Sequence, residues 1–243
     1  ADGRLDKWLN KWLGSDESVK TVDYDNLDSP NGVVSLVTID TNEPFEYIKD
    51  NKIVGYEIEC VTEFCKEFGD GLNVTAVNFD SLLAALSAGT YDCGASMLLP
   101  LDERRESLYF SIPNVRDKVV AVVRKSNDNK PTENVKKGFT SIKDFNRSGI
   151  RIGLSSGSTF DIIADEHYPK AEKLYFNTFG DIVKALQDGL IDMSMFDEPV
   201  AIDMCRQTDN LTYISDYIET TDFAFCFARD EKSDKLLKEF NAF

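Results

Sequence analysis

Residues 82–92, LLAALSAGTYD, and residues 182–192, IVKALQDGLID, carry one pattern at two places in the chain. Ala85, Leu86, Gly89 and Asp92 of the first match Ala185, Leu186, Gly189 and Asp192 of the second. In each, apolar residues at helical spacing end at a glycine suited to a helix C-terminus, and a strand is expected to begin near the aspartate. Strand-like and helical runs alternate on both sides. The first half gives strand VVSLVTI from Val33, a turn at NEPFEY, a helix over about Glu57–Phe68, strand LNVTAVNF, the helix of residues 80–89, strand YDCGAS and a short turn at DERRES. The second half gives strand VVAVVRK, helix SIKDFN, strand IRIGLS, helix STFDIIADEH, strand KLYF, helix FGDIVKALQDG, strand IDMSMF and helix EPVAIDMCRQ. Strands near LTYIS and FAFCFA and a helix from about Glu231 follow.

This alternation implies α/β architecture with parallel-rich sheets covered on both faces. The echo divides it into two Rossmann-like lobes, residues 32–115 and 116–221, with residues 222–243 returning to the first. Two crossings make a two-strand hinge, expected at about Asn114–Val119 and Thr221–Ala224, with a ligand site between the lobes. Ahead of the lobes, residues 1–14 place Leu5, Trp8, Leu9 and Trp12 at helical spacing and stop at Gly14, and residues 15–31 read as a linker.

The chain has 243 residues, of which 42% are hydrophobic and 29% charged. Its net charge of −16 argues against nucleic acid and anionic membranes, which need a basic face. One histidine, His167, disfavours histidine-based triads and multi-histidine metal sites. Neither a metal nor a cofactor is expected. No apolar run reaches the ~18–20 residues of a membrane span, and the first residues carry no signal-like stretch. Cys60, Cys65, Cys93, Cys205 and Cys226 lack metal spacing and are read as free thiols packed as small apolar residues.

Three features bear on chemistry. Ser155-Ser156-Gly157-Ser158-Thr159 follows a strand and opens a helix, so its N–H groups, hydroxyls and positive helix end suit a small anion, or Ser158 simply caps the helix. It is not a phosphate loop, because GxxxxGK[ST] is absent. Arg104 lies just past strand YDCGAS, where a guanidinium can clamp a carboxylate bidentately; its neighbour Arg105 reads as a surface charge. Asp197 stands at the corresponding place in the second lobe, able to accept hydrogen bonds from an ammonium or to cap the next helix. An anion pocket and an arginine on one side and an aspartate on the other describe a receptor for an α-amino acid.

In order, NEPFEY, IVGYEIE, VNFDSLLAALSAGTYD, DERR with the following YFS, GLSSGSTFD and IDMSMFDEPVA resemble the extracellular solute-binding proteins of bacterial polar amino-acid ABC transporters, family 3, over about residues 32–243. That resemblance implies a periplasmic-binding-protein type II, or Venus flytrap, fold. It implies that Arg104 binds the ligand carboxylate with Ser158 and Thr159, that Asp197 binds the amine, that Phe79 lies against the ligand side chain, and that Ser96 contributes near the ammonium. Three positions depart from the family pattern: Leu99 replaces a hydroxyl residue five before the arginine, Asn42 replaces an aromatic residue, and Met97 stands where a small residue is common. The segment ADGRLDKWLNKWLG resembles the family's final helix, as a tandem copy or a circular permutation would produce. It is expected to dock on its own first lobe or, as a swapped dimer, on a second copy.

The resemblance implies non-catalytic binding of an amino acid or analogue, outside the membrane or in the periplasm. The protein would be membrane-tethered and would work with a transporter permease. The alternative is a sensing domain fused to a membrane signalling protein. A third class, similar to cyclohexadienyl dehydratases, needs an acid over a bound ring, for which Glu198 or Glu46 is available.

Overall fold

The computed structural model describes residues 3–125, 139–155 and 158–243. Ala1 and Asp2 of the first helical run, and Ser156 and Gly157 of the hydroxyl-rich loop, lie outside the described residues. The chain divides into two compact units, the first running to Arg116 and resuming at Asp222–Phe243, the second formed by Asp117–Thr221.

Unit 1 begins with α1 (Arg4–Leu13) and β1 (Val33–Thr38). A small antiparallel sheet of β2 (Thr41–Asn42), β3 (Glu46–Lys49) and β4 (Lys52–Val54) precedes α2 (Tyr56–Phe68). Next come β5 (Gly71–Ala76), α3 (Phe79–Ser87), β6 (Cys93–Leu98), α4 (Asp102–Arg105) and β7 (Tyr109–Phe110). The strand β8 (Val115–Arg124) leads into unit 2, which holds a 3-10 turn at Ile142–Phe145, β9 (Arg151–Ser155), α5 (Thr159–His167), β10 (Glu172–Phe176), α6 (Phe179–Asp188), β11 (Met193–Asp197) and α7 (Glu198–Gln207). The chain returns along β12 (Leu211–Phe227) and ends in α8 (Glu231–Ala242).

Each unit builds the same sheet. In unit 1 the order is β5-β1-β6-β12, with β1 parallel to both neighbours and β12 antiparallel to β6. In unit 2 it is β10-β9-β11-β8, with β9 parallel to both neighbours and β8 antiparallel to β11. The repeated sequence pattern occupies equivalent places. After α3 the Gly89 N–H bonds to Leu86 O and the Thr90 N–H to Ala85 O; after α6 the Gly189 N–H bonds to Leu186 O and the Leu190 N–H to Ala185 O. Both glycines take positive φ, 70° and 76°, the left-handed turn that ends a helix and that a side chain would strain. The aspartate three residues later then grips the start of the first parallel strand. Asp92 Oδ2 accepts from Ser35 N and Oγ at 2.8 Å, and Asp192 Oδ2 accepts from Arg151 N at 2.9 Å.

Three elements differ from the sequence expectation. The strand drawn over LNVTAVNF stops at Ala76, because Asn78 takes the helix N-cap position and Phe79 becomes the first residue of α3. The runs LTYIS and FAFCFA are parts of one strand, since the β-branched and aromatic residues between them, Tyr217 to Thr221, hold no glycine or proline to break it. SIKDFN is a single 3-10 turn, fixed by a reciprocal cap between Ser141 and Asp144.

The first helix packs within unit 1. Trp12 is fully buried and donates its indole N–H to Glu59 of α2, Lys11 Nζ reaches Glu59 at 2.8 Å, and Trp8 stacks on Phe243 with ring centroids 5.9 Å apart. Leu5, expected on the same apolar stripe, is 38% exposed. Residues 15–31 form no described helix or strand and are tied to β3 and β4 by Lys49–Glu17, Lys52–Asp23 and Lys52–Asp25 ion pairs. Cys60, Cys65, Cys93 and Cys226 are buried free thiols, and Cys205 is half-buried.

Asp92 is half-buried. Burial pushes its carboxyl up, but Lys232 at 2.6 Å and the Ser35 donors prevail and hold it below the usual carboxylate value. Its contribution is therefore complete above the ordinary carboxylate range and is lost as pH falls through its lowered folded value. Asp92→Ala is expected to cost about 1–3 kcal/mol in urea unfolding at pH 7, because the Ser35 N–H loses its acceptor. That difference should shrink in acid, where the wild-type carboxyl is also protonated. An unchanged midpoint at pH 7 would show that the strand needs no such clamp.

Candidate functional site

The parallel strands carry the residues singled out by sequence to one edge of each sheet. In unit 1, β1 pairs with β5 from Val33↔Gly71 to Thr38↔Ala76, and with β6 at Leu36↔Cys93 and Val37↔Gly94. Thr38 and Ser96, within the last residues of β1 and β6, and Phe79 and Arg104, just beyond β5 and β6, therefore gather at the C-terminal ends of adjacent parallel strands, where α/β sheets place their ligands. In unit 2, Ser155 ends β9 and Asp197 ends its parallel neighbour β11, paired at Ser194↔Gly153.

Arg104 sits on the four-residue α4 and is 9% exposed. Its Nη1 donates to Leu99 O at 3.1 Å, which fixes the guanidinium against the loop leaving β6. Burial lowers its proton affinity below the ordinary value, countered by the nearby Cys226 thiol and Glu103. Leu99 thus contributes its carbonyl, whatever its side chain does. Arg105 is exposed, as its sequence reading expects.

Ser96 is buried and its Oγ has no hydrogen-bond partner; the same holds for Thr38 Oγ1 in unit 1 and Ser158 Oγ in unit 2. A buried hydroxyl without a partner costs about 1–3 kcal/mol, so such groups mark places of function more than of stability. Ser158 occupies the N-cap position of α5, yet its side chain makes no cap hydrogen bond. Thr159, the first residue of α5, is half-buried. Asp197 is 7% exposed at the N-cap position of α7 and does not cap that helix with its side chain. The capping alternatives for Ser158 and Asp197 therefore lack the bond that defines a cap.

Phe79 is half-buried at the head of α3. Asn42 is buried, and its amide donates to Glu46 Oε1 at 2.8 Å. Met97 adopts φ +44°, the left-handed region that a residue with a side chain enters at a cost of about 1–3 kcal/mol. The small residue common at this position in the resembled family suits that backbone.

Sequence reasoning passed over a second polar cluster beside this edge of unit 1. Glu46 and Glu57 are both fully buried. Glu57 Oε2 accepts from Met97 N at 3.0 Å, and Glu57 Oε1 accepts from Asn114 Nδ2 at 3.3 Å. The signal was present: two acids, one in NEPFEY and one in VGYEIE, stand among residues that bury. A cavity of about 360 Å3 lies elsewhere in unit 1, between α1 and α8, and none of the predicted ligand residues lines it. Among the described residues no group of histidine, cysteine and acidic side chains could hold a metal ion.

The model of the bacterial extracellular solute-binding proteins, family 3, matches residues 34–243. The chain belongs to this family. It is 27% identical over 202 residues to a probable histidine-binding protein of Campylobacter jejuni, a match covering 82% of this chain and 73% of that one. It is 24% identical over 208 residues to an arginine-binding periplasmic protein of Mannheimia haemolytica, covering 82% and 78%. Among solved structures, an ancestral amino acid-binding protein described as a precursor of cyclohexadienyl dehydratase shares the fold with a TM-score of 0.75 at 22% identity, covering 87% of each chain. No described helix of this solute-binding protein is long and apolar enough to cross a membrane.

Ser158→Ala separates a cap from a ligand group. Because the hydroxyl makes no intramolecular bond, the variant should unfold within about 0.5 kcal/mol of wild type. A loss of ~1 kcal/mol or more, the usual cost of removing an N-cap, would assign Ser158 to the helix instead.

Proposed function

We propose that this chain binds a free α-amino acid or a close analogue, without chemical change, for uptake by an ABC transporter. The observation that carries this reading is Arg104, a nearly buried guanidinium held by the Leu99 carbonyl at the C-terminal edge of parallel strands. A buried cation in that place suits a carboxylate, which it can grip through two parallel hydrogen bonds. In this reading Ser158 and Thr159 share the carboxylate, Asp197 takes the ammonium, Ser96 lies near it, and Phe79 meets the ligand side chain. Family membership supports the solute-binding role, and relatives named as histidine- and arginine-binding proteins support the amino-acid class.

Leu99 and Asn42 bear on specificity. The first offers the ligand no hydroxyl, and the second directs its amide to Glu46. The partner is a membrane permease, and the chain works outside the membrane or in the periplasm, tethered to its surface. The acids an enzyme of this fold would call on are otherwise engaged, which supports binding over catalysis. Glu46 has no exposed surface, and Glu198 lies 3.7 Å from Lys118.

A thermal-shift screen of the twenty amino acids and close analogues tests the reading. A true ligand at 100 times its Kd should stabilise the protein by about 2.7 kcal/mol. Arg104→Ala should then weaken that ligand by about 2–5 kcal/mol in calorimetry, the cost of leaving a buried carboxylate unpaired. A loss below tenfold would reduce Arg104 to a structural charge, and a screen without any stabilising amino acid would overturn the assignment.

A further inference from the structure

In unit 2, β8 runs beside β11 with Val119 paired to Asp197, so Asp117 and Lys118 reach past the C-terminal end of β11. Side chains alternate along a strand, which puts Asp117 on the face that holds Val119 and Asp197. That face is the one covered by α5, since Val119, Met193 and Met195 share a buried cluster with Ile163 and Ala164. Arg116 turns to the opposite face and grips the exposed Asp222 through two bonds of 2.6 Å. Thr221, the residue before Asp222 on the neighbouring strand β12, therefore turns to the face of Asp117. Lys118 turns away as well, to Glu198 at 3.7 Å and toward the Tyr217 ring.

Three polar atoms on this side of the sheet lack partners inside the protein. Asp117 Oδ1 accepts from Lys118 N at 2.7 Å, but Asp117 Oδ2 is buried without a hydrogen bond. Thr221 is 5% exposed and its Oγ1 is likewise unpartnered, as is Ser158 Oγ at the head of α5. Native proteins rarely leave such oxygens unsatisfied, so they call for donors from outside the chain. Asp117 also calls for charge. Among the described residues no lysine or arginine forms an ion pair with it, and its chain neighbours Arg116 and Lys118 are taken by Asp222 and Glu198. Burial, helped by Glu198 and opposed by the Lys118 N–H and ammonium, pushes its carboxyl up to about 6, as expected of an acid that nothing neutralises.

We propose that Asp117, assisted by Thr221, is a specificity-determining residue that receives a cationic side chain, so that the amino acid bound carries a second positive charge. In the amino-acid reading, on which this inference rests, Asp197 takes the α-ammonium. Asp117 lies one strand over with a charge of its own, and an uncharged side chain would leave that charge buried and unpaired. A primary ammonium offers three donors and a guanidinium five, enough for Asp117 Oδ2 and Thr221 Oγ1 together, and neither brings an acceptor that would compete with them. Selection then comes as much from the penalty on neutral ligands as from the attraction of charged ones.

The test is calorimetry at pH 7.5, where the Asp117 carboxyl is ionised, with two pairs of ligands matched in shape: arginine against citrulline, and lysine against norleucine. Wild type should bind the cationic member of a pair at least tenfold more tightly than its neutral counterpart. Asp117→Asn keeps the shape and removes the charge, and should bring that ratio to within about threefold, a coupling between residue and ligand charge that a purely structural role would not produce. Its unfolding midpoint without ligand should be no lower than that of wild type, because an unpaired buried charge has gone. Thr221→Val is the second variant and should lower the ratio by about threefold. A neutral ligand that wild type binds as tightly as its cationic partner overturns the subsite and leaves amino-acid binding standing. So does a ratio that Asp117→Asn leaves unchanged, including the case in which both members weaken equally, which would put Asp117 on the α-ammonium or in the fold. Should Asp117→Asn fail to fold, the wild-type ratio and Thr221→Val decide. If no amino acid of any charge binds, the functional reading fails and the subsite with it.

Discussion

The grip of one aspartate on the start of a parallel strand sets the geometry of each unit. Asp92 fixes Ser35 at the head of β1, and Asp192 fixes Arg151 at the head of β9, in a bidentate pair with both contacts at 3.1 Å or less. Each aspartate also donates its own N–H to the carbonyl of the same strand, Asp92 to Ser35 O and Asp192 to Arg151 O. With the N-terminal ends locked in register, the opposite ends of the three parallel strands finish together. That is the edge where Thr38, Ser96 and Arg104 gather in unit 1, and Ser155, Ser158 and Asp197 in unit 2. The clamp is thus remote from the candidate site and determines where it falls.

At those edges the molecule accepts costs it avoids elsewhere. Its cores are closed by aliphatic and aromatic side chains, such as Val119, Ile152, Leu154 and Met193 in unit 2. The strand ends instead hold buried hydroxyls without partners, a nearly buried arginine, a methionine in a left-handed backbone and a pair of buried glutamates. Each costs on the order of 1–3 kcal/mol against a protein's usual margin of about 5–15. Their concentration at one edge of each sheet is what a binding function would leave in a fold otherwise consistent from propensity to packing.

Much of this was legible in the sequence for physical reasons. Helix periodicity followed by glycine and a β-rich run is a local code, and the pattern of residues 82–92 and 182–192 placed two equivalent helix–strand junctions without any tertiary knowledge. Arg104 and Asp197 were visible because a charge just past an apolar strand is conspicuous. Phe79 was drawn into a strand because apolar alternation ran past the Asn78 cap. The continuity of β12 escaped because Asp216, Glu219 and Asp222 look like a loop, whereas that part of the strand turns polar side chains outward. The burial of Glu46 and Glu57 beside the unit 1 edge was beyond reach, since one acid lies on a hairpin and the other on a helix, although both stand among residues that bury.

The assignment turns on whether Arg104 recognises a carboxylate. Calorimetry on a double cycle decides it: the verified amino acid and the amine that lacks its carboxylate, each titrated into wild type and into Arg104→Ala. The account predicts strong coupling. Removing the carboxylate should weaken binding to wild type by tenfold or more and to Arg104→Ala by little, because the group that would miss it is already gone. An equal penalty in both proteins would mean that the carboxylate is held elsewhere, and the site built around Arg104 would be wrong.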